Sequence, residues 1–208
     1  MSKAAPFFLP ILTSQQKGKL VAKNSQEKLA QRADRRALYF PEVSKESIWQ
    51  LGNLKGFTQV PRVFPKILQI MNTLSDKNNP VGDVYLSLWC RDWSDGFVEV
   101  SNANELASEC GYVGSRGKTT WEKKMQSLEK LGFIKTKSFP SQKFRFVVLI
   151  NPFQVLFEKF QEKKIPSESW EDLKIRCEDV GSSDISKLEK TKTKSGGEEV
   201  QSSIPSGS

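Results

Sequence analysis

The stretch Gly111-Tyr112-Val113-Gly114-Ser115-Arg116-Gly117-Lys118-Thr119-Thr120 has the residue types of a phosphate-binding loop: glycines that let backbone amides approach an anion, a lysine for charge, and threonine hydroxyls. Its spacing fails that reading. A nucleoside-triphosphate loop requires glycine where Tyr112 stands, and it follows a buried strand in a larger parallel sheet, whereas Leu106 to Cys110 is helical in pattern. The strand-like Val147-Val148-Leu149-Ile150 is followed by Asn151 where a metal-binding Asp is wanted. The same Gly, Lys and Thr residues suit the turn before a helix that touches phosphate. Just downstream, Arg116, Thr119, Lys123, Gln126 and Lys130 recur at steps of three and four, one face of a helix whose other side holds Trp121, Met125 and Leu128. Arginine pairs bidentately with guanine, glutamine with adenine, and threonine meets a phosphate or a thymine methyl. These are the tools for reading a DNA duplex, where a plain solvated face is the competing explanation.

Composition narrows the chemistry further. The chain of 208 residues contains no histidine, which removes Ser-His-Asp and Cys-His nucleophiles, histidine general bases and histidine metal sites. Lysine, carboxylate and cysteine chemistry stay formally open, yet no constellation supports them, so no enzyme and no cofactor is expected. Cys90, Cys110 and Cys177 are too far apart for a zinc site and read as small core side chains of a reducing compartment. Thirty-two Lys and Arg against 24 Asp and Glu leave a net charge of +8. From Ser115 to Arg145 nine basic residues face only Glu122 and Glu129, so the surplus is clustered and a polyanionic partner is implied. The apolar start, Ala4 to Leu12, has two prolines and neither a charged leader nor a cleavage site. No run approaches the ~20 apolar residues of a membrane span, so a cytoplasmic protein, on the nucleoid when bound to DNA, is expected with no small-molecule substrate evident.

These residues need elements to position them, and the apolar spacing supplies them. Residues 1–45 read as a basic, flexible arm or a frayed helix, with Lys17, Lys19, Lys23, Lys28, Arg32, Arg35 and Arg36 against Glu27 and Asp34. Ile67, Ile70, Met71 and Leu74 after Pro65 predict a helix. Val81, Val84, Tyr85 and Leu88 predict a second, capped by Asn79 and opened by Pro80. Phe97 to Val100 is a single short strand. Asn102 with Glu105 has capping-box spacing before Ala103, Leu106, Ala107 and Cys110, and Gly111 stops that helix. Ser115 to Lys130 forms the next helix, with Gly132 as its stop. Phe133–Lys137 and Phe144–Ile150 are then strands around a Ser138–Lys143 connection. The tryptophans and phenylalanines mostly fall on buried faces; Phe139, near the hairpin tip, is the exception that suits base stacking.

Two further helices follow. One begins at Asn151-Pro152 with Phe153, Leu156, Phe157 and Phe160; the other carries Trp170, Leu173 and Cys177. Their bulky faces either complete the core or form a surface for a homodimer or another partner. From Gly181 on, Ile185, Leu188 and Ile204 are too sparse for a core, which predicts a disordered tail over 181–208. The fold class expected is mainly α with a small β-hairpin: a winged helix-turn-helix over 46–180 with extra flanking helices.

Gly56-Phe57-Thr58-Gln59-Val60-Pro61-Arg62, Val84-Tyr85-Leu86-Ser87-Leu88-Trp89-Cys90-Arg91 with Asp95-Gly96-Phe97-Val98-Glu99-Val100, and Leu128-Glu129-Lys130-Leu131-Gly132-Phe133-Ile134 resemble a little-characterised group of bacterial winged-helix proteins of plasmids and mobile elements. The last segment is also similar to the helix-to-wing junction of winged-helix repressors and replication initiators. The resemblance covers about residues 50 to 180. It implies sequence-specific binding of double-stranded DNA in transcription regulation or element maintenance. Replication initiation, partition, or a non-catalytic interaction module on the same scaffold are the alternatives. In that reading Arg116, Thr119, Lys123 and Gln126 read bases, and Ser115, Lys118, Lys130, Lys135, Lys137, Lys143 and Arg145 hold phosphates.

Overall fold

The 3.6-residue periods of the sequence become helices that bury the expected residues. In the computed structural model, which describes residues 14–48, 55–140 and 142–198, the chain divides into two units, Met1–Lys55 and Gly56–Ser208. The apolar start, Ile204 and Ser141 lie outside the described residues. In the first unit, α1 (Ser14–Tyr39) is a polar helix, followed by a 3₁₀ turn (Lys45–Ser47). It sets Lys28, Arg32 and Arg35 in line on its exposed surface.

The second unit is mainly helical with one small antiparallel sheet. Its order is α2 (Phe64–Leu74), α3 (Gly82–Arg91), β1 (Phe97–Glu99), α4 (Ala103–Glu109), α5 (Gly117–Leu131), β2 (Ile134–Phe139), β3 (Gln142–Leu149), α6 (Pro152–Gln161), α7 (Ser167–Asp179) and α8 (Asp184–Glu198). The strands lie in the order β1-β3-β2. One core runs through all of it: Phe64, Ile67 and Met71 of α2, Val84, Tyr85 and Leu88 of α3, Leu106 of α4, Trp121, Met125 and Leu128 of α5, and Val98, Ile134 and Val147 of the sheet are buried. Tyr85 sits near its centre, with the rings of Phe64 and Phe133 about it and its hydroxyl donating to the Ile150 carbonyl over 3.4 Å. Burial raises the Tyr85 phenol far above its ordinary pKa, with the nearby Asp92 charge adding to the shift.

Several expectations are corrected by the packing. Asn79 does not cap α3. The acceptor is Asn72 of α2, whose Oδ1 receives the Val81 and Gly82 amides at 2.9 and 2.7 Å, so the cap is tertiary and invisible to local spacing. Asn102 does cap α4, accepting from Asn104 and Glu105, but Glu105 turns to Arg91 and leaves the box one-sided. Helix α5 starts two residues later than expected, at Gly117, with Arg116 at its N-cap. The hairpin strands run on to Phe139 and back from Gln142, shortening the Ser138–Lys143 connection. Of the cysteines only Cys177 is buried; Cys110 is half-buried and Cys90 exposed.

The carboxy-terminal helices close the core. Trp170 is buried and stacks on Phe160 at 4.7 Å, Phe153 and Leu156 are buried, and Lys66 of α2 meets Asp172 of α7 at 3.0 Å. Of the two roles expected for these faces, Trp170 and Phe153 take part in completing the core. The tail beyond Gly181 is not disordered throughout either: Ile185 of α8 is buried and Leu188 packs beside it. Two apolar residues are too few to build a core, but they are enough to dock a helix on one already built.

Candidate nucleic-acid interface

Glycine makes the junction between α4 and α5 possible. Gly111 and Gly114 adopt φ of +81° and +78°, in the left-handed region that side chains disfavour. At Gly117 the constraint is space: a Cβ there would lie 2.2 Å from the Tyr112 carbonyl oxygen. The segment that resembles a nucleotide loop is therefore a tight link between two helices. The element before it is α4, where a nucleotide loop would need a strand.

A buried lysine clamps this link. Lys124, only 4% exposed, donates from Nζ to the Pro80 carbonyl, lies 3.7 Å from Asp83 Oδ1, and stands 5.0 Å from the centre of the Tyr112 ring. The Tyr112 hydroxyl in turn donates to Asp83 Oδ2. Sequence reasoning counts Lys124 with the basic cluster; its position three residues after Trp121 and one before Met125 is the signal that it faces inward. Arg91 of α3 ties α4 from the other side, reaching Glu105 at 2.6 Å and closing on Glu109. The Arg91 hydrogen bond holds the Glu109 carboxyl below the usual carboxylate range. Burial raises the Cys110 thiol.

With the link held, α5 presents the expected face. Arg116, Thr119, Lys123, Gln126 and Lys130 are all exposed, and no acidic side chain shares their stripe. Ser115 is exposed just before the helix. Among the described residues no side chain caps the α5 amino terminus through a hydrogen bond, so its amides face the end where anions are favoured. Lys118 and Lys143 flank the face, each near Glu122, at 3.9 and 3.7 Å. Such long pairs between an exposed lysine and the half-buried Glu122 are worth about 1 kcal/mol or less, and the lysines remain open to a competing anion. Glu129 is spent elsewhere: its Oε1 accepts from the Thr136 amide and hydroxyl at 3.0 and 2.7 Å, fastening β2 to α5.

The remaining expected phosphate contacts are not brought to this face. Thr136 faces α5, and because strand side chains alternate, Lys135 and Lys137 point to the opposite side of the sheet. Arg145 turns toward β1, donating from Nη1 to the Val100 carbonyl at 2.9 Å with Nη2 3.7 Å from Glu99. The basic cluster of the sequence is thus two surfaces: α5 with Lys118 and Lys143, and the outer sheet with Lys135 and Lys137. A strict period-2 count along β2 sets Lys135 and Lys137 on one face and Thr136 on the other, but only the Thr136–Glu129 contact says which face belongs to the helix.

No family model matches the chain, and no curated protein or solved structure matches it significantly. Geometry and charge carry the functional reading. Among the described residues no helix is long and apolar enough to cross a membrane.

Proposed function

We propose that the second unit is a winged helix that binds double-stranded DNA, with α5 in the major groove and β2–β3 as the wing. The observation that carries this is the acid-free, exposed stripe Arg116–Thr119–Lys123–Gln126–Lys130 on a helix whose amino terminus no side chain caps. A major groove about 12 Å wide admits such a helix. Arg116, Thr119, Lys123 and Gln126 read base edges; Ser115, Lys118, Lys130 and Lys143 hold the backbone. The chain acts as a binder rather than an enzyme, and its resemblance to winged-helix proteins of plasmids and mobile elements suggests transcription regulation or element maintenance in the bacterial cytoplasm.

An anisotropy titration with random duplex DNA at two salt concentrations tests the reading. Affinity should fall steeply with salt, and Lys118→Ala and Lys130→Ala should each flatten the logarithmic slope by about 0.9. Binding that ignores both salt and these substitutions would sink it. After selection of bound genomic fragments, Gln126→Ala should relax preference at one base position and cost about 1 to 3 kcal/mol on the selected site.

A further inference from the structure

The outer face of the sheet, turned away from α5, combines rings and cations in a way the duplex reading does not use. Phe97 of β1 and Phe139 of β2 are 37% and 45% exposed, and both rest on the half-buried ring of Phe146 in β3. The Phe97 ring stacks on Phe146 at 5.7 Å, and Phe139 meets it edge-on at 5.6 Å. Phe146 therefore acts as a support that holds the two outer rings in fixed places. Val148, 43% exposed, continues the strip between its partners Phe97 and Lys135. Lys135 and Lys137 rim it, the latter directly opposite Phe146. Neither lysine joins an ion pair among the described residues, whereas the one acid in the strip, Glu99, is 3.7 Å from Arg145. The positive charge of this face lies on its β2 side with Lys135 and Lys137, while Asp95 stands at the Phe97 end and accepts from the Phe97 amide at 3.0 Å.

We infer that this face is a second nucleic-acid site, one that takes unpaired bases of a single strand. Every base has an apolar π-face, so aromatic side chains bind unstacked bases without regard to sequence, and lysines beside them follow the backbone. A duplex hides those faces and offers this strip nothing but phosphates. A protein partner fits less well, because lysine is depleted from protein interfaces, while aromatic rings edged by lysine are what single-strand binders present. The inference does not rest on the α5 assignment, since the two faces share no residue. Together they would let one domain hold a duplex site and a strand released beside it.

The test uses the full chain, a labelled oligothymidylate of about 16 nucleotides, and a random duplex of the same length. Phe139→Leu removes a ring but keeps apolar bulk, Phe139→Tyr keeps the ring, and Lys135→Glu with Lys137→Glu reverses the rim. The wild type and Phe139→Tyr should bind the single strand alike. Phe139→Leu and the lysine pair should each lose about tenfold or more on the single strand, while duplex affinity in Phe139→Leu stays within twofold. Thermal melts check that all variants are folded. Lys123→Ala with Lys130→Ala should do the converse, weakening the duplex and sparing the single strand, so either site can fail without the other. The proposal is overturned by a wild type that does not bind the single strand at low salt, or by Phe139→Leu binding as well as Phe139. It is equally overturned if sedimentation shows a dimer that the sheet variants dissociate, since the strip would then be cover for a second copy.

Discussion

Lys124 is the one buried charged side chain among the described residues of the second unit. Its ammonium is enclosed, so its bond to the Pro80 carbonyl and its neighbours Asp83 and Tyr112 must offset lost hydration. A hydrogen bond from a charged donor contributes about 1.5 to 3 kcal/mol, above the long pairs that the exposed Lys118 and Lys143 make with Glu122. Lys124→Met should therefore lower unfolding stability in urea by about 2 kcal/mol, with Lys118→Met within a few tenths of wild type. Equal effects would contradict the burial assigned to Lys124. The count of basic residues in the sequence gives no hint of this difference; charge alone does not say which lysine meets water.

At the scale of elements, the α4–α5 link and the α3–α4 tie decide how α5 is aimed. Gly117→Ala forces a methyl group against the Tyr112 carbonyl, and backbone on both sides leaves little room to yield. Overpacking of this kind costs about 1 to 3 kcal/mol or more. A melting temperature unchanged from wild type would refute the close approach. The Arg91–Glu109 contact adds a pH dependence. Because the folded Glu109 carboxyl titrates below its unfolded counterpart, the folded state binds fewer protons there. Its stabilisation is complete above the ordinary carboxylate pKa and is lost as pH falls through the depressed folded value. In Glu109→Gln that part of the acid destabilisation should vanish, which urea melts at neutral and acid pH will measure. The helices and their glycine stops at 111 and 132 are legible in sequence because they follow local rules of period and left-handed φ. The cap of α3 is not, since Asn72 stands in another helix.

At the scale of the whole molecule, the carboxy-terminal helices belong to the core of the second unit. Ile185→Ala in α8 should destabilise the unit by about 2 kcal/mol, the low end for a buried isoleucine on a docked surface helix. If residues past Gly181 contributed nothing to folding, the substitution would be silent in a urea titration. The sequence by itself determined the absence of histidine chemistry, the order of helices and strands from α2 to α7, and the stripe on α5, because each depends on composition or on periods of two and 3.6. Only the tertiary structure decided that the basic cluster is two faces, that Lys124 is a clamp and Arg145 a strand-to-strand tie, and that Trp170 and Ile185 seal a core. Those outcomes depend on which surfaces meet, and contacts between residues distant in the chain leave no local period to read.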